Sequence, residues 1–256
     1  MKKKGKDRLG YALMGFVVLA LGVVLIVPMA LEKDVIGDDL CVEGKPIHRH
    51  FLFVIDQSDP VPTKNVEQLQ MVFSRVLKSL GQNDRISVFY MDENASPFSE
   101  ANRSICNPGR GSDANELFEN AARIEAVFRK NFLQPLELAL SEEAFAKQAG
   151  KSPIMGFLKD VTQVERYMPP ARERTYYIVS DLIENSELLN QYKVPRDFPE
   201  VVKSDQMLFH NPDFRGVEVN LIYVERENLQ TIQNTAHKRF WHDYFKQYGA
   251  FRINLL

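Results

Sequence analysis

The sequence predicts an α/β domain with a mainly parallel β-sheet flanked by helices, preceded by one N-terminal transmembrane helix. Two patterns carry the prediction: short apolar runs typical of buried strands alternate with amphipathic helical segments, and residues 9–31 lack any charge. The 256 residues are 45% hydrophobic and 26% charged, as in ordinary globular proteins. Disorder, collagen and coiled coil are therefore excluded for the chain as a whole.

The N-terminal segment has the charge pattern of a membrane anchor. Residues 1–8 contain four lysines and one arginine against one aspartate, and residues 9–31 form an uncharged run of 23 positions. As a helix rising about 1.5 Å per residue, this run spans roughly 34 Å, enough to cross a hydrocarbon core of about 30 Å. The positive-inside rule then places the N-terminus in the cytoplasm, with the rest of the chain held at the inner membrane on its periplasmic or other extracytoplasmic side.

Two alternatives share this pattern. A cleaved signal peptide has an apolar region of only about 7–15 residues, and Pro28 stands where cleavage after Ala30 would need a small residue. A buried core helix rarely begins beside four lysines. We favour an uncleaved anchor. The chain then divides into a cytoplasmic basic tail (1–8), a transmembrane helix (9–31), a connector (32–49) and a folded domain (50–256).

Several function classes lose support at this stage. The 32 basic and 34 acidic residues give a net charge of -2, which provides no large positive field for nucleic acid. Gly150–Ser152 resembles the end of a P-loop, but Phe145 stands where that motif requires its first glycine. No G-x-S-x-G segment presents a serine nucleophile. We therefore expect neither a nucleic-acid-binding protein nor an enzyme.

Strand and helix signals alternate after residue 50. Strands are predicted over 50–55, 86–91, 176–179 and 217–224, and helices over 66–80, about 115–145, 153–167 and 229–248. In open sheets of this kind, ligands bind beyond the carboxyl ends of the strands. The residues that directly follow each strand are therefore the candidates for function.

Polar side chains follow two of these strands. Asp56 and Ser58 come directly after the first strand, and Asp181 follows a later strand of sequence TYYIVS. Carboxylates and hydroxyls are the ligands that Mg²⁺ and similar hard cations prefer. The alternative is that these side chains only cap the next turn or helix.

Three segments resemble the von Willebrand factor A (vWA) family, whose domains are Rossmann-like. They are the strand ending in DQSD, the segment Lys151–Ile154 that opens a helix, and YIVSD at the end of a later strand. The chain is also similar to a bacterial, membrane-anchored subgroup of vWA-like proteins. That similarity rests on the DQSDP segment, the sequence Cys-Asn-Pro-Gly from Cys106, and the His-x-x-Phe-Trp pattern ending at Trp241.

The resemblance implies a metal-ion-dependent adhesion site, in which Mg²⁺ or another divalent cation grips a carboxylate of a protein partner. Asp56 and Ser58 match the first two oxygens of the family's DxSxS segment, Ser152 resembles its threonine, and Asp181 matches its last aspartate. The family's second serine is Pro60 here, which has no side-chain oxygen. The implied cation site is therefore degenerate.

The chain has two cysteines, Cys41 and Cys106, and both lie in the part expected outside the cytoplasm. Thiols tend to be oxidised there, so we expect one disulfide. The alternative is two unrelated buried thiols. Neither cysteine lies at metal-ligand spacing from another cysteine or a histidine.

An aromatic group lies on the last predicted helix, at Phe240, Trp241, Tyr244, Phe245 and Tyr248. An exposed group of this size would mark a partner surface, but packing onto the sheet is the commoner fate and is the interpretation we favour.

The expected function is binding of another protein outside the cytoplasm, through the crevice at the strand ends. The partner itself is unknown from the sequence. One alternative is a metal-assisted hydrolase that uses the same carboxylates around an ion. Another is a structural subunit of an envelope complex, whose transmembrane helix packs through Gly10, Gly15 and Gly22; their spacing forms no GxxxG face.

Overall fold

The computed structural model describes residues 11, 13–22, 35–91, 102–115, 119–141, 145, 150–167, 170–193, 198–202 and 211–256. The chain divides into two compact units, Met1–Val35 and Ile36–Leu256. In the first unit, residues 13–22 are helical. Among the described residues, no helix has both the length and the apolar character needed to cross a membrane. The basic tail 1–8 and most of the predicted anchor, including residues 23–31, lie outside them.

The second unit is built on one six-stranded sheet. Its strands are β1 (Ile47–Asp56), β2 (Arg85–Met91), β3 (Arg103–Cys106), β4 (Ala171–Ser180), β5 (Val217–Tyr223) and β6 (Arg252–Leu255). They lie in the order β3-β2-β1-β4-β5-β6, and every neighbouring pair is parallel except the antiparallel pair β2 and β3. The predicted α/β fold with a mainly parallel sheet is confirmed.

Helices cover both faces of the sheet. Within the described residues of this unit they are α1 (Thr63–Ser79), α2 (Ala121–Val127), α3 (Gln134–Ala139), α4 (Ile154–Tyr167), α5 (Phe198–Val202) and α6 (Thr235–Gln247). A π-helical stretch, Phe128–Leu133, joins α2 to α3, so the helix predicted over about 115–145 is three consecutive helical segments.

The core has two layers because side chains alternate between the faces of a strand. In β1, Leu52 and Val54 pack in the layer that contains α4 and α6, whereas Phe53 and Ile55 pack in the layer that contains α1 and α3. Both layers bury the strand almost completely, which explains why β1 is a continuous apolar run rather than an alternating one.

All four predicted strands are present, but the sequence missed β3 and β6. These are the two edge strands, each four residues long and only partly buried. A short strand paired on one side buries too little surface to need a run of apolar residues. Their sequences, RSIC and RINL, therefore carry no strand pattern.

The expected disulfide is present at the N-terminal edge of the sheet, where β1 and β2 begin. Cys41 and Cys106 are joined across 65 residues, with their Cα atoms 4.8 Å apart. Asn83 ties the same region together, since its side-chain oxygen accepts from the Val42 backbone N–H at 2.8 Å. Residues from Ile36 onward belong to the same compact unit as the sheet. This part of the predicted connector therefore packs with the domain.

The aromatic group on α6 lies in the core, as predicted. Phe240, Trp241, Tyr244 and Phe245 are buried, and Trp241 is 0% exposed. Their rings pack against one another and against Phe214, mostly in edge-to-face contacts and, between Trp241 and Phe245, in a tilted contact. This helix therefore serves as a rigid support for the loop that follows β4, as described below.

Candidate functional site

The crevice lies at the C-terminal edge of the sheet, between β1 and β4. Strands β2 and β3 lie on one side of β1, and β4, β5 and β6 lie on its other side. The order of strands therefore reverses between β1 and β4, and the connections that follow these two strands diverge from each other. Such a switch point is where open α/β sheets bind their ligands. Asp56 is the last residue of β1, and Ser180 is the last residue of β4.

Asp56 is the centre of the crevice. Its Oδ1 accepts from the Ser58 backbone N–H at 2.9 Å. Its Oδ2 accepts from the hydroxyls of Ser180 at 2.6 Å and Ser152 at 3.3 Å. Asp56 is only 4% exposed, so its carboxyl oxygens accept hydrogen bonds from the protein rather than from bulk water.

Ser152 reaches Asp56 because a short β-bridge fixes its backbone. The Ser152 N–H donates to the Asn185 carbonyl at 3.1 Å, and the Asn185 N–H donates back to the Ser152 carbonyl at 2.9 Å. This bridge joins the segment before α4 to the loop after β4. Two segments that are far apart in sequence therefore bring their hydroxyls, Ser152 and Ser180, to the same carboxylate oxygen.

Asp181 lies beside this cluster and is paired with an arginine that the sequence analysis missed. Its Oδ1 accepts from the Ile183 N–H at 2.9 Å, and its Oδ2 contacts Arg226 Nε at 3.3 Å. Arg226 also donates from Nη1 to the Pro60 carbonyl at 2.7 Å. The Asp181 side chain is 3% exposed and that of Arg226 is 17% exposed.

Helix α6 holds the residue that follows Asp181. Leu182 has a φ of 57°, a left-handed conformation that costs a non-glycine residue roughly 1 kcal/mol. Its carbonyl accepts from Trp241 Nε1 at 2.6 Å and from His237 Nε2 at 2.9 Å. Because His237 Nε2 donates, its Nδ1 accepts from the Tyr223 hydroxyl at 2.9 Å. The His-x-x-Phe-Trp pattern therefore positions Asp181 through its neighbour.

Glu184 is a third buried carboxyl in the same loop. It is 0% exposed, and its Oε2 accepts from the Met155 N–H at 2.9 Å in the first turn of α4. Its backbone N–H donates to the Gln191 side-chain oxygen at 2.9 Å. Glu184 thus joins the start of α4 to the loop after β4, as the Ser152 bridge does.

The pKa values of the three buried carboxyl groups of the crevice are raised, which favours their neutral forms. Burial raises the pKa of Asp181 to about 6, with repulsion from Asp56 adding to the rise and Arg226 opposing it. Burial also raises the pKa of Asp56, against the hydrogen bonds from Ser180, Ser58 and Ser152, and raises the pKa of Glu184 to about 8. Perturbed carboxyls gathered at a switch point mark a functional-site candidate.

The predicted ligands can be tested against the chemistry of a divalent ion. Asp56, Ser58, Ser152 and Asp181 supply hard oxygen atoms, but at position 60 only a backbone carbonyl is available, and Arg226 already binds it. A second cation at Asp181 would be repelled by this guanidinium. In the described part of the chain, no three His, Cys, Asp or Glu side chains converge as an ion-binding group. The residues therefore fit a resident divalent ion poorly, and its presence stays a prediction.

The rim of the crevice is accessible. Tyr192 is 45% exposed, Pro60 is exposed and Asp59 is half-buried. Burial raises the pKa of Tyr192 to about 12, and the charges of Asp181 and Asp59 add to this rise. A partner would meet this rim before it reached the buried cluster.

The structure brings the four predicted residues together in one crevice, and three further residues of that crevice were not predicted. Ser180 directly precedes Asp181 in YIVSD, so the same strand-end argument could have included it. Arg226 lies three residues beyond β5, and the rule applied to that strand would have found it. Glu184 carries no such signal, since nothing in the sequence shows that it is buried.

The chain matches no protein-family model and no curated protein. Among solved structures it is similar to an aerotolerance-related membrane protein from Bacteroides fragilis NCTC 9343, with 10% identity and a TM-score of 0.32 over 80% of this chain and 90% of that one. It is also similar to the human COPII-coat protein Sec24c, with 11% identity and a TM-score of 0.34.

The second similarity covers 86% of this chain but only 31% of the Sec24c chain. Neither similarity, at these identities and scores, bears on the function of this chain. The fold assignment rests on the strand order and pairing described above.

Proposed function

We propose that this chain is a single-pass membrane-anchored, vWA-like protein whose domain binds another protein outside the cytoplasm. The observation that carries the proposal is the convergence of Asp56, Ser58, Ser152 and Asp181 at the switch point of the sheet. This position is where sheets of this class recognise ligands. An anchor over residues 9–31 would confine the search for a partner to the membrane surface.

The arrangement of the crevice supports binding. The loops after β1, β4 and β5 meet there, and Arg226 and Asp181 join them through hydrogen bonds. Loops held by a rigid sheet are the usual place for recognition. The exposed rim at Pro60 and Tyr192 offers a contact surface around a charged centre.

Site-specific photo-cross-linking in intact membranes tests this proposal. A photoreactive phenylalanine analogue replaces Tyr192 at the rim, and in a matched control it replaces Met71, which is 63% exposed on α1. We expect a cross-linked product of discrete mass from position 192 only, lost when Asp56→Asn is added to a chain that still melts cooperatively. Equal products from both positions, or a product unaffected by Asp56→Asn, would contradict binding at the crevice.

The membrane anchor is tested separately. We expect the full chain to stay in the membrane pellet after extraction at alkaline pH, and a variant with Leu19→Arg and Leu21→Arg to be released, because charges at the centre of a membrane helix are costly. Protease added to spheroplasts should degrade the domain of the anchored chain. Protection of the domain would place it in the cytoplasm and contradict the proposed orientation.

A divalent cation at the same crevice is the alternative that the Arg226–Asp181 pair disfavours. Mg²⁺ or Mn²⁺ at Asp56, Ser58, Ser152 and Asp181 would accept an acidic side chain of the partner. Calorimetric titration of the full chain against an Asp56→Ala, Asp181→Ala variant decides it. Saturable binding lost in the variant would support the ion, and its absence from both would leave binding by shape and hydrogen bonds.

Two other functions stay predictions. A metal-assisted hydrolase would lose activity in an Asp181→Asn variant while it retained partner binding. A structural envelope subunit would keep its complex after Asp56→Asn and lose it when the transmembrane segment is exchanged.

A further inference from the structure

The loop after β5 places a positive charge inside the crevice. Arg226 Nε lies 3.3 Å from Asp181 Oδ2, and Arg226 Nη1 donates to the Pro60 carbonyl at 2.7 Å. The Arg226 backbone N–H donates to the Gln233 side-chain oxygen at 2.7 Å, and Gln233 Nε2 donates to the Asp181 carbonyl at 3.0 Å. Arg226 therefore joins the loops after β1, β4 and β5 through both its backbone and its side chain.

We propose that Arg226 is a built-in cation of the crevice, which offsets the buried carboxylates and ties the strand-end loops together, so that the crevice needs no divalent ion. The proposal deepens the proposed function, because it concerns the same crevice. It is separable from it, since neither the charge nor its test involves a partner.

The local charge supports this role. Asp56 and Asp181 are 4% and 3% exposed, and when both are ionised their negative charges repel each other. Two buried carboxylates without a compensating cation would destabilise the fold, or one of them would hold a proton instead. The Arg226 guanidinium is itself largely buried, so its attraction for Asp181 is weakly screened by solvent.

Position 60 supports the same interpretation. Pro60 has no side-chain oxygen, and its backbone carbonyl accepts a hydrogen bond from Arg226. A planar guanidinium can donate to a carboxylate and a carbonyl at once from different nitrogens, which a compact ammonium does less well. Arg226 thus uses the one oxygen that this position retains.

A surface ion pair elsewhere in the domain provides a matched control. Arg215 donates from Nε and Nη2 to Asp213 at 2.8 and 2.7 Å, but its side chain is 80% exposed. Exposed pairs of this kind contribute little to stability even when their geometry is good. If Arg226 acted only as another surface pair, its removal would have the same small effect.

The test uses the full chain in non-ionic detergent at pH 8. Melting temperatures are measured for the wild type and for Arg226→Gln, Asp181→Asn, the double variant and the control Arg215→Gln, each with EDTA and with excess Mn²⁺. Calorimetric titration of Mn²⁺ is run on the wild type and Asp181→Asn. The titration needs no Arg226 variant, so the proposal stays testable if Arg226→Gln fails to fold.

We expect the wild type to melt at the same temperature with EDTA and with Mn²⁺, and to show no saturable Mn²⁺ binding that Asp181→Asn removes. Arg226→Gln should lower the melting temperature by roughly 5 °C or more, and Arg215→Gln by less than about 2 °C. Either Mn²⁺ or the added Asp181→Asn should recover much of the loss. Failure of both to recover it, a loss no larger than that of the control, or wild-type Mn²⁺ binding that Asp181→Asn abolishes would overturn the proposal.

Discussion

Two buried aspartates, Asp84 and Asp181, pair with arginines at opposite edges of the same sheet, and the pairs differ in what surrounds them. At the N-terminal edge, Asp84 accepts from the guanidinium of Arg49 and from two backbone N–H groups, those of Arg49 at 3.2 Å and Gly81 at 2.7 Å. At the C-terminal edge, Asp181 has one backbone donor and one guanidinium contact, with Asp56 beside it.

The difference distinguishes a structural ion pair from a site. The Asp84 pair has enough donors and stands beside a disulfide, so this edge is fixed covalently and by satisfied hydrogen bonds. The Asp181 pair has fewer donors and an adjacent carboxylate, so its energy depends on protonation and on any cation nearby. An aspartate with few donors and a carboxylate beside it can gain more free energy from a donor on a partner than an aspartate whose oxygens already accept several hydrogen bonds.

The largest effect is expected at the covalent edge. A Cys41→Ser, Cys106→Ser double variant should lose about 4 kcal/mol of unfolding free energy, because the bond closes a loop of 65 residues. Urea unfolding of the full chain measures it. Cross-linking from position 192 should be unchanged, and its loss would show that the two edges are coupled.

The comparison itself is tested by neutralising each aspartate. Asp84→Asn should cost about 3 kcal/mol, because it leaves Arg49 and two backbone donors with a weaker acceptor. Asp181→Asn should cost about 1 kcal/mol or less, because it also removes the repulsion from Asp56. Urea unfolding at pH 7 gives both values. Equal losses would mean that the two pairs are energetically alike and would contradict the distinction drawn above.

Glu184 should make the crevice edge sensitive to pH. Burial raises its pKa from 4.5 to about 8, so the folded state keeps a proton that the unfolded state releases. The stability that this proton provides is full below about pH 4.5 and is lost as the pH rises to about 8. The free energy of unfolding of Glu184→Gln, measured relative to that of the wild type, should therefore be about 3 kcal/mol higher at pH 8 than at pH 5.

Chemical denaturation at the two pH values checks this expectation. Glu187→Gln is the matched control, because the Glu187 side chain is 96% exposed and should show no pH-dependent difference. A stability difference between Glu184→Gln and wild type that stays the same at both pH values would show that Glu184 is already ionised in the folded state at pH 5.

The smallest effect is expected from the support beneath Asp181. Trp241→Phe keeps an aromatic ring at this buried position but removes part of the indole, including the Nε1–H that donates to the Leu182 carbonyl. Because His237 still donates to that carbonyl, the loss should be about 1 kcal/mol. Urea unfolding measures it, with Phe245→Leu as a packing control. Reduced cross-linking from position 192 at unchanged stability would show that the loop has moved.

The strands that were predicted correctly are those with continuous runs of apolar residues. β1 and β5 are covered on both faces, so nearly every position had to be apolar. The edge strands β3 and β6 are partly exposed and short, so many sequences would serve there equally well. Their presence follows from an available edge of the sheet rather than from their own residues.

The sequence by itself determined the α/β class, the buried strands and the placement of Asp56, Ser58 and Asp181 at strand ends, because local patterns record burial and strand ends converge in parallel sheets. Ser152, which precedes α4, was assigned to the same crevice only through the family resemblance. Only the tertiary structure decided that Ser180 shares Asp56 with Ser152, and that Arg226 pairs with Asp181. These contacts depend on the order of strands and on loop conformations. Local sequence patterns do not show which loops lie next to each other. The pairing of charges in the crevice is therefore fixed only when the strands assemble into the sheet.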